Sequence, residues 1–205
     1  QAYFLKFLEL AERMGVPTVC TFAGRDPAKS VGDNITLFKE VFTKFCEQAE
    51  KRNLRIGIEN CPMMDRIHME GENIAFSPEI WDEMFRAVPS DHLGLELDPA
   101  HMVWLGIDYI QAVYDYGEKI FHVHAKDMEI RKNVLSRVGI YGSCFDEVFG
   151  LGHGWWRART PGWGEVKWTE FLSALMEVGY EGNVDIEHED DVFAQQNAMS
   201  DGDEE

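Results

Sequence analysis

Residues 120–126 read IFHVHAK, and this run decides the fold. Side chains in a β-strand alternate between two faces. One face here carries Phe121, Val123 and Ala125; the other carries His122, His124 and Lys126. Residues 93–98 (LGLELD) repeat the pattern, with Leu93, Leu95 and Leu97 against Gly94, Glu96 and Asp98. Residues 55–59 (RIGIE) set Ile56 and Ile58 against Arg55, Gly57 and Glu59. Residues 185–189 place Asp185, Glu187 and Glu189 on one face, with His188 interrupting the other. Strands buried in a parallel sheet usually read as continuous apolar runs. Strands with one polar face each imply a shared polar interior. Burying so many ionisable groups is costly unless they pair or hold a metal.

Working outward, helix and strand patterns alternate. Phe4, Leu5, Leu8, Ala11 and Met14 have helical spacing, and Gly15 ends that helix. A strand is predicted over 16–22 and a polar loop over 24–32. A long amphipathic helix follows, capped by Asn34 and reaching 52. Further strands are predicted at 54–60, 93–98, 120–126 and 183–188. Further helices fall at 78–88 with Ser77 as cap, at 107–117, and at 168–178 ended by Gly179. The segment 127–164 reads as a long loop. Such alternation argues for an α/β fold with a parallel sheet and helices outside it. No G-x-G-x-x-G turn follows a strand, which disfavours a dinucleotide-binding sheet. A TIM (β/α)8 barrel takes about 250 residues. A chain of 205 residues fits such a barrel lacking its first two or three βα units. Gln1 is no initiator and the chain opens inside a helical pattern, so the natural protein is expected to begin upstream.

Composition bounds the function. The chain reads as one domain over 1–205, with 45% hydrophobic residues and 27% charged residues. No apolar run approaches the length of a membrane-spanning helix, and no signal peptide opens the chain. The net charge of −18 argues against nucleic acid as a partner. Seven acids and no Lys or Arg lie between Glu189 and Glu205, which reads as a solvated acidic tail. Cys20, Cys46, Cys61 and Cys144 are widely spaced, which fits a reducing, cytoplasmic setting better than a disulfide framework.

The strand ends carry the candidate chemistry. Glu59, Asp98, His124 and Glu187 each close a predicted strand, and α/β sheets build their sites at those ends. Taken singly, each has a plainer explanation. Glu59 would be a surface residue, His122 and His124 would be hydrogen-bonded core histidines, and Asp98 would open a turn before Pro99. Together, three carboxylates and an imidazole suit one divalent ion. Mn²⁺, Mg²⁺ or Co²⁺ rank ahead of Zn²⁺, whose structural sites favour thiolates.

The ordered motifs GIEN (57–60), LDPAH (97–101), HVHAKD (122–127), PGWGE (161–165) and DIEH (185–188) resemble the xylose isomerase-like barrel superfamily, in its sugar phosphate isomerase/epimerase branch. The resemblance covers nearly the whole chain and maps it onto the barrel from the third helix to the eighth strand. It implies that Glu59, Asp98, His124 and Glu187 are metal ligands and that Glu59 and Glu187 are the catalytic pair. It implies substrate contacts from His101, Lys126 and Arg131, the last as the counterpart of an arginine after the seventh strand. Trp163, after the Pro-Gly turn, joins the candidate substrate-binding set. A related metal-dependent abasic-site endonuclease uses an Asp-x-His after strand seven, and this chain has none.

The reading is a metal-dependent isomerase or epimerase acting on a small carbohydrate or keto-acid, with no nucleic acid or membrane partner and with homo-oligomerisation left open. Loss of a β-hydroxyl at the same site would make a lyase or dehydratase. A truncated barrel, or a binding protein without turnover, is the non-catalytic alternative. Gly150, Gly152, Gly154 and the run WWRAR (155–159) suggest a lid over the metal, or a loop anchored by its tryptophans. His153 reads as solvated, and nothing near Cys61 activates its thiol.

Overall fold

The computed structural model describes residues 1–64, 71–142 and 154–194. In chain order the elements are α1 (Ala2–Met14), β1 (Thr18–Thr21), α2 (Val31–Glu50), β2 (Arg55–Glu59), α3 (Pro78–Ala87), β3 (Leu93–Leu97), α4 (Pro99–Leu105) and α5 (Tyr109–Tyr116). They continue with β4 (Ile120–Ala125), β5 (Asp127–Ile130), α6 (Lys132–Val138), β6 (Trp156–Arg159), α7 (Trp168–Glu177) and β7 (Val184–Ile186). Five strands form a parallel sheet in the order β1-β2-β3-β4-β7, curled as part of a barrel. Among the described residues no helix is long and apolar enough to cross a membrane.

The apolar strand faces lie under the helices as expected. Ile56, Ile58, Leu93, Leu95, Leu97 and Val123 are fully buried against Leu8, Phe38, Phe42, Trp81, Met84 and Phe171. At about 25 cal/mol per Å² of apolar surface, this layer is the main stabilising term. Gly15 ends α1 in the left-handed conformation, φ 70°, as the sequence predicted.

Four details differ from expectation. Ser30, not Asn34, caps α2: its Oγ accepts from Asp33 N at 3.1 Å. Asn34 is buried one turn in and fastens the preceding loop, accepting from Asp26 N at 2.7 Å and donating to Asp26 O at 3.0 Å. A helix not expected from the sequence, α4, begins after Asp98 and stops at Gly106; the helix predicted over 107–117 is α5, capped by Asp108. On β4, Leu95 pairs with Ile120 but Glu96 pairs with His122, so Phe121 is a bulge residue. Ile120 therefore joins Val123 in the core, while the Phe121 ring lies where a side chain on Gly94 would stand, 2.6 Å from an added Cβ.

The fourth difference is the segment 127–164, which is not a plain loop. β5 and β6 pair antiparallel, from Asp127 opposite Arg159 to Ile130 opposite Trp156, with α6 between them in sequence. Their alternation explains it: Met128 and Trp156 pack with Ala100 and Trp155, while Glu129 pairs with Arg157 and Arg159. Trp156 stacks on Trp104 of α4 at 4.8 Å, and the Trp155 indole donates to Ile140 O at 2.9 Å. Both tryptophans therefore anchor the hairpin. Cys144, Gly150, Gly152 and His153 lie outside the described residues, as do residues 195–205 of the acidic tail.

Two buried aspartates tie this hairpin to the sheet. Asp127 accepts four hydrogen bonds: from Met128 N (2.8 Å), Val166 N (2.9 Å), Gly162 N (2.8 Å) and the Trp168 indole (2.9 Å). Asp190, at the start of the acidic stretch, is buried and accepts from Arg159 Nε at 3.0 Å and Thr160 N at 2.9 Å. The stretch thus begins fastened.

Replacing Asp127 with Ala leaves those donors unpaired. The expected loss is on the order of 3 kcal/mol in urea unfolding with an unchanged slope; a loss under about 0.5 kcal/mol would contradict this role. Burial opposes ionisation of Asp190, but the Thr160 N–H and the Arg159 guanidinium outweigh it and hold its carboxyl down to about 2, below the ordinary 3.8. Its stabilising contribution is therefore present above about pH 4 and fades between about pH 4 and pH 2. Asp190→Asn should flatten acid unfolding by circular dichroism in that window, and an unaltered pH profile would refute the assignment.

Candidate metal centre

The parallel strands end side by side, and their last residues meet. Glu59 closes β2. Asp98 follows β3 and caps α4, accepting from Ala100 N at 2.8 Å. His124 sits near the end of β4. Glu187 follows β7, its amide donating to Ala125 O at 3.2 Å. One ligand atom from each of these four residues lies within 4.8 Å of all the others. His124 Nδ1 stands 3.0 Å from Glu187 Oε2 and 3.9 Å from Glu59 Oε1. Asp98 is fully buried and Glu59 nearly so.

Two more predicted residues join them. Lys126, buried, places Nζ 3.2 Å from Asp98 Oδ2, 2.9 Å from Glu187 Oε2 and 3.2 Å from Glu189 Oε2. His101 on α4 brings Nε2 to 3.2 Å from Asp98 Oδ2 and 3.7 Å from Glu59 Oε1. The Trp104 indole donates to His101 Nδ1 at 3.4 Å, so Nε2 carries the ring proton. Arg131 and Trp163 are placed elsewhere. Arg131 is exposed and donates to Gly154 O at 3.2 Å. Trp163 is 61% exposed, edge-on to Phe193 and under the Arg159 guanidinium.

The electrostatics follow from burial and proximity. Burial pushes the Glu59 carboxyl up to about 8 and that of Asp98 up to about 6, with Lys126 pulling both back. The hydrogen bond to His124 holds Glu187 down at about 2 despite its partial burial. Burial disfavours a charged His124, but hydrogen bonds to Glu187 and Glu96 raise it to about 10. Burial also disfavours a charged Lys126, yet Asp98, Glu187 and Glu189 hold it above its ordinary value. Burial, then Lys126, keeps His101 neutral. Burial pushes the Cys61 thiol up to about 12, so it stays a thiol.

Three buried polar atoms here, Asp98 Oδ2, His101 Nε2 and His124 Nδ1, lack a well-formed hydrogen bond. Buried polar groups rarely go without partners. A cation among these oxygens and the imidazole nitrogen would satisfy two of the three, so the residues fit a divalent ion. An oxygen-rich set with one nitrogen suits Mn²⁺, Mg²⁺ or Co²⁺, and admits Zn²⁺.

Three supporting residues went unassigned in the sequence reading. Asn60 clamps the backbone of Asp98, donating to its O at 3.0 Å and accepting from its N at 2.7 Å. Its place directly after Glu59 was the available signal. Asn73 donates to Glu59 O at 2.9 Å and to Cys61 O at 2.7 Å, from a loop with no motif to mark it. Glu96, one strand pair below the centre, stands 3.1 Å from His124 Nε2.

The model of the family described as the xylose isomerase-like TIM barrel matches residues 2–203. The uncharacterised protein YfiH of Bacillus subtilis (strain 168) is 34% identical over 119 residues, 57% of this chain and 37% of that protein. Inosose dehydratase of Clostridium botulinum (strain Eklund 17B / Type B) is 29% identical over 124 residues, 60% of this chain and 39% of that enzyme. The matched part of the chain thus spans less than two fifths of either curated relative. The IolI protein with a bound zinc atom superimposes with a TM-score of 0.66 at 22% identity, covering 95% of this chain and 62% of that one. L-ribulose 3-epimerase gives 0.64 at 16% identity, covering 97% of this chain and 58% of that one. At such identities the structures speak for the fold alone. Strand order, strand-end geometry and a match running through nearly the whole sequence agree: the chain belongs to the xylose isomerase-like TIM barrel family.

Proposed function

We propose that this chain carries the centre of a divalent-metal-dependent sugar or sugar-phosphate isomerase or epimerase. One observation carries the reading: Glu59, Asp98, His124 and Glu187 converge within 4.8 Å at neighbouring strand ends. Asp98 Oδ2 and His124 Nδ1 among them lack well-formed hydrogen bonds, which supports it. The ion of choice is Mn²⁺, with Mg²⁺, Co²⁺ or Zn²⁺ as substitutes; the zinc bound by the IolI neighbour is in keeping with a divalent site. When bound, such an ion supplies a Lewis acid toward a substrate carbonyl and its neighbouring hydroxyl, which acidifies the C–H between them.

The remaining steps belong to the chain's own residues. Glu187 or Glu59 removes that proton, and the other carboxylate returns one. Return to the opposite face of the same carbon is epimerisation; return to the neighbouring carbon is isomerisation. His101, neutral and protonated at Nε2, donates to a substrate oxygen. Lys126 holds Asp98 and Glu187 in position and offers positive charge to a hydroxyl, carboxylate or phosphate. Arg131 and Trp163, whose contacts lie on the hairpin and the tail, are assigned to substrate contact rather than to the proton transfer. The substrate is a small carbohydrate or keto-acid. The described cysteines Cys20, Cys46 and Cys61 are all free, which suits a reducing compartment such as the cytoplasm.

A dehydratase is the second reading, favoured by the inosose dehydratase relative. The same proton removal, followed by departure of a β-hydroxyl, would release water. Product mass separates the two: an isomer keeps the mass of its substrate, and a dehydratase product lacks one water.

Calorimetry tests the centre. One Mn²⁺ should bind, and Glu187→Gln and His124→Ala should each weaken binding by more than the roughly 10–100-fold that changes around a ligand produce. A folded chain that binds no divalent ion would sink the proposal. With a loaded centre, a screen of ketoses and keto-acids should yield products of unchanged mass, and loss of water would move the assignment to the second reading.

A further inference from the structure

Glu96 has no part in the chemistry above, yet it is 6% exposed on the interior face of β3. A buried carboxylate is costly without a partner. Its neighbours are specific. The Cys20 thiol of β1 is close enough for the Glu96 carboxylate to disfavour its ionisation, and His124 Nε2 of β4 lies 3.1 Å from Glu96 Oε1. Gly57, on the strand between β1 and β3, makes the arrangement fit: an added Cβ would stand 3.0 Å from Cys20 Sγ and 3.5 Å from Glu96 Cβ.

The two nitrogens of His124 are therefore in different positions. Nε2 faces a carboxylate acceptor, while Nδ1 lacks a well-formed hydrogen bond and faces Glu59 and Glu187. A neutral imidazole carries one proton, and the partner of one nitrogen fixes the role of the other. We propose that Glu96 is a positioning residue for the metal centre: it accepts the Nε2 proton of His124, sets the ring orientation and leaves the Nδ1 lone pair directed at Glu59, Asp98 and Glu187. This inference rests on the metal reading. Without an acceptor at Nε2, the His124 proton is best used at Nδ1 toward Glu187, where it blocks the ligand position. The open side of Gly57 leaves room for Cys20 and Glu96 on either side of it, so the arrangement draws on β1, β2, β3 and β4 together.

The test compares wild type, Glu96→Leu and Glu96→Gln, with Zn²⁺ as a diamagnetic probe. Calorimetry gives affinity, and imidazole ¹H–¹⁵N correlation spectra give the protonation of each ring nitrogen. The zinc-loaded wild type should show His124 protonated at Nε2, with a downfield, slowly exchanging proton. Glu96→Leu should lose that slow exchange and bind Zn²⁺ roughly 10–100-fold more weakly. Glu96→Gln, whose amide oxygen still accepts, should keep the resonance and recover most of the affinity. Equal affinity in wild type and Glu96→Leu would overturn the inference and leave the metal reading standing. So would a wild-type spectrum with the proton on Nδ1, a result that needs no variant to fold. Wild-type protein that binds no Zn²⁺, Mn²⁺ or Co²⁺ would instead overturn the metal reading and the inference with it.

Discussion

The centre depends on one buried cation. Lys126 lies within 3.2 Å of Asp98, Glu187 and Glu189, with its side chain 3% exposed. Those carboxylates, with Glu59 close by, could not share so small and dry a space unbalanced. The Lys126 ammonium supplies the opposing charge. The residues of such a site fit an ion, because Asp98 Oδ2 and His124 Nδ1 are left poorly hydrogen-bonded. Lys126 therefore acts on the charge balance as much as on any substrate.

Support for the centre comes from several directions. Asn60 grips the backbone of Asp98, and Asn73 grips the carbonyl of Glu59. On the other side, the hairpin of β5 and β6 packs its tryptophans onto α4, the helix that carries His101 and Trp104. Asp127 joins the end of β4 to the turn before α7. The segment read as either a lid or a loop anchored by its tryptophans is, in its described residues, anchored and acts as a buttress. Its described residues hold α4 in place and, through Trp104, orient His101.

Much of this was legible in the sequence, and for a clear reason. Period-2 alternation in residues 55–59, 93–98 and 120–126 marks which face each strand turns inward. In a parallel sheet with neighbouring strands in register, residues ending successive strands must come together. Glu59, Asp98, His124 and Glu187 could therefore be gathered from spacing alone. The elements that were missed lack such a signal or send a conflicting one. Asp98-Pro99 starts both a turn and a helix, so α4 was hidden. Ser30 and Asn34 are both good caps, and the choice fell to Ser30 because Asn34 was needed to hold the loop at Asp26.

The sequence by itself determined the strand–helix alternation, the sidedness of the strands and the identity of the groups at their ends, since these follow from local periodicity and residue chemistry. Only the tertiary structure decided which partner each group has. The β4 bulge moved Phe121 off the core face because Gly94 leaves room for its ring. Asp190 became buried because Arg159, distant in sequence, reaches it. Glu96 meets His124 only because β3 and β4 are adjacent. Such pairings depend on distances of a few ångströms between residues far apart in the chain, and no local pattern encodes them.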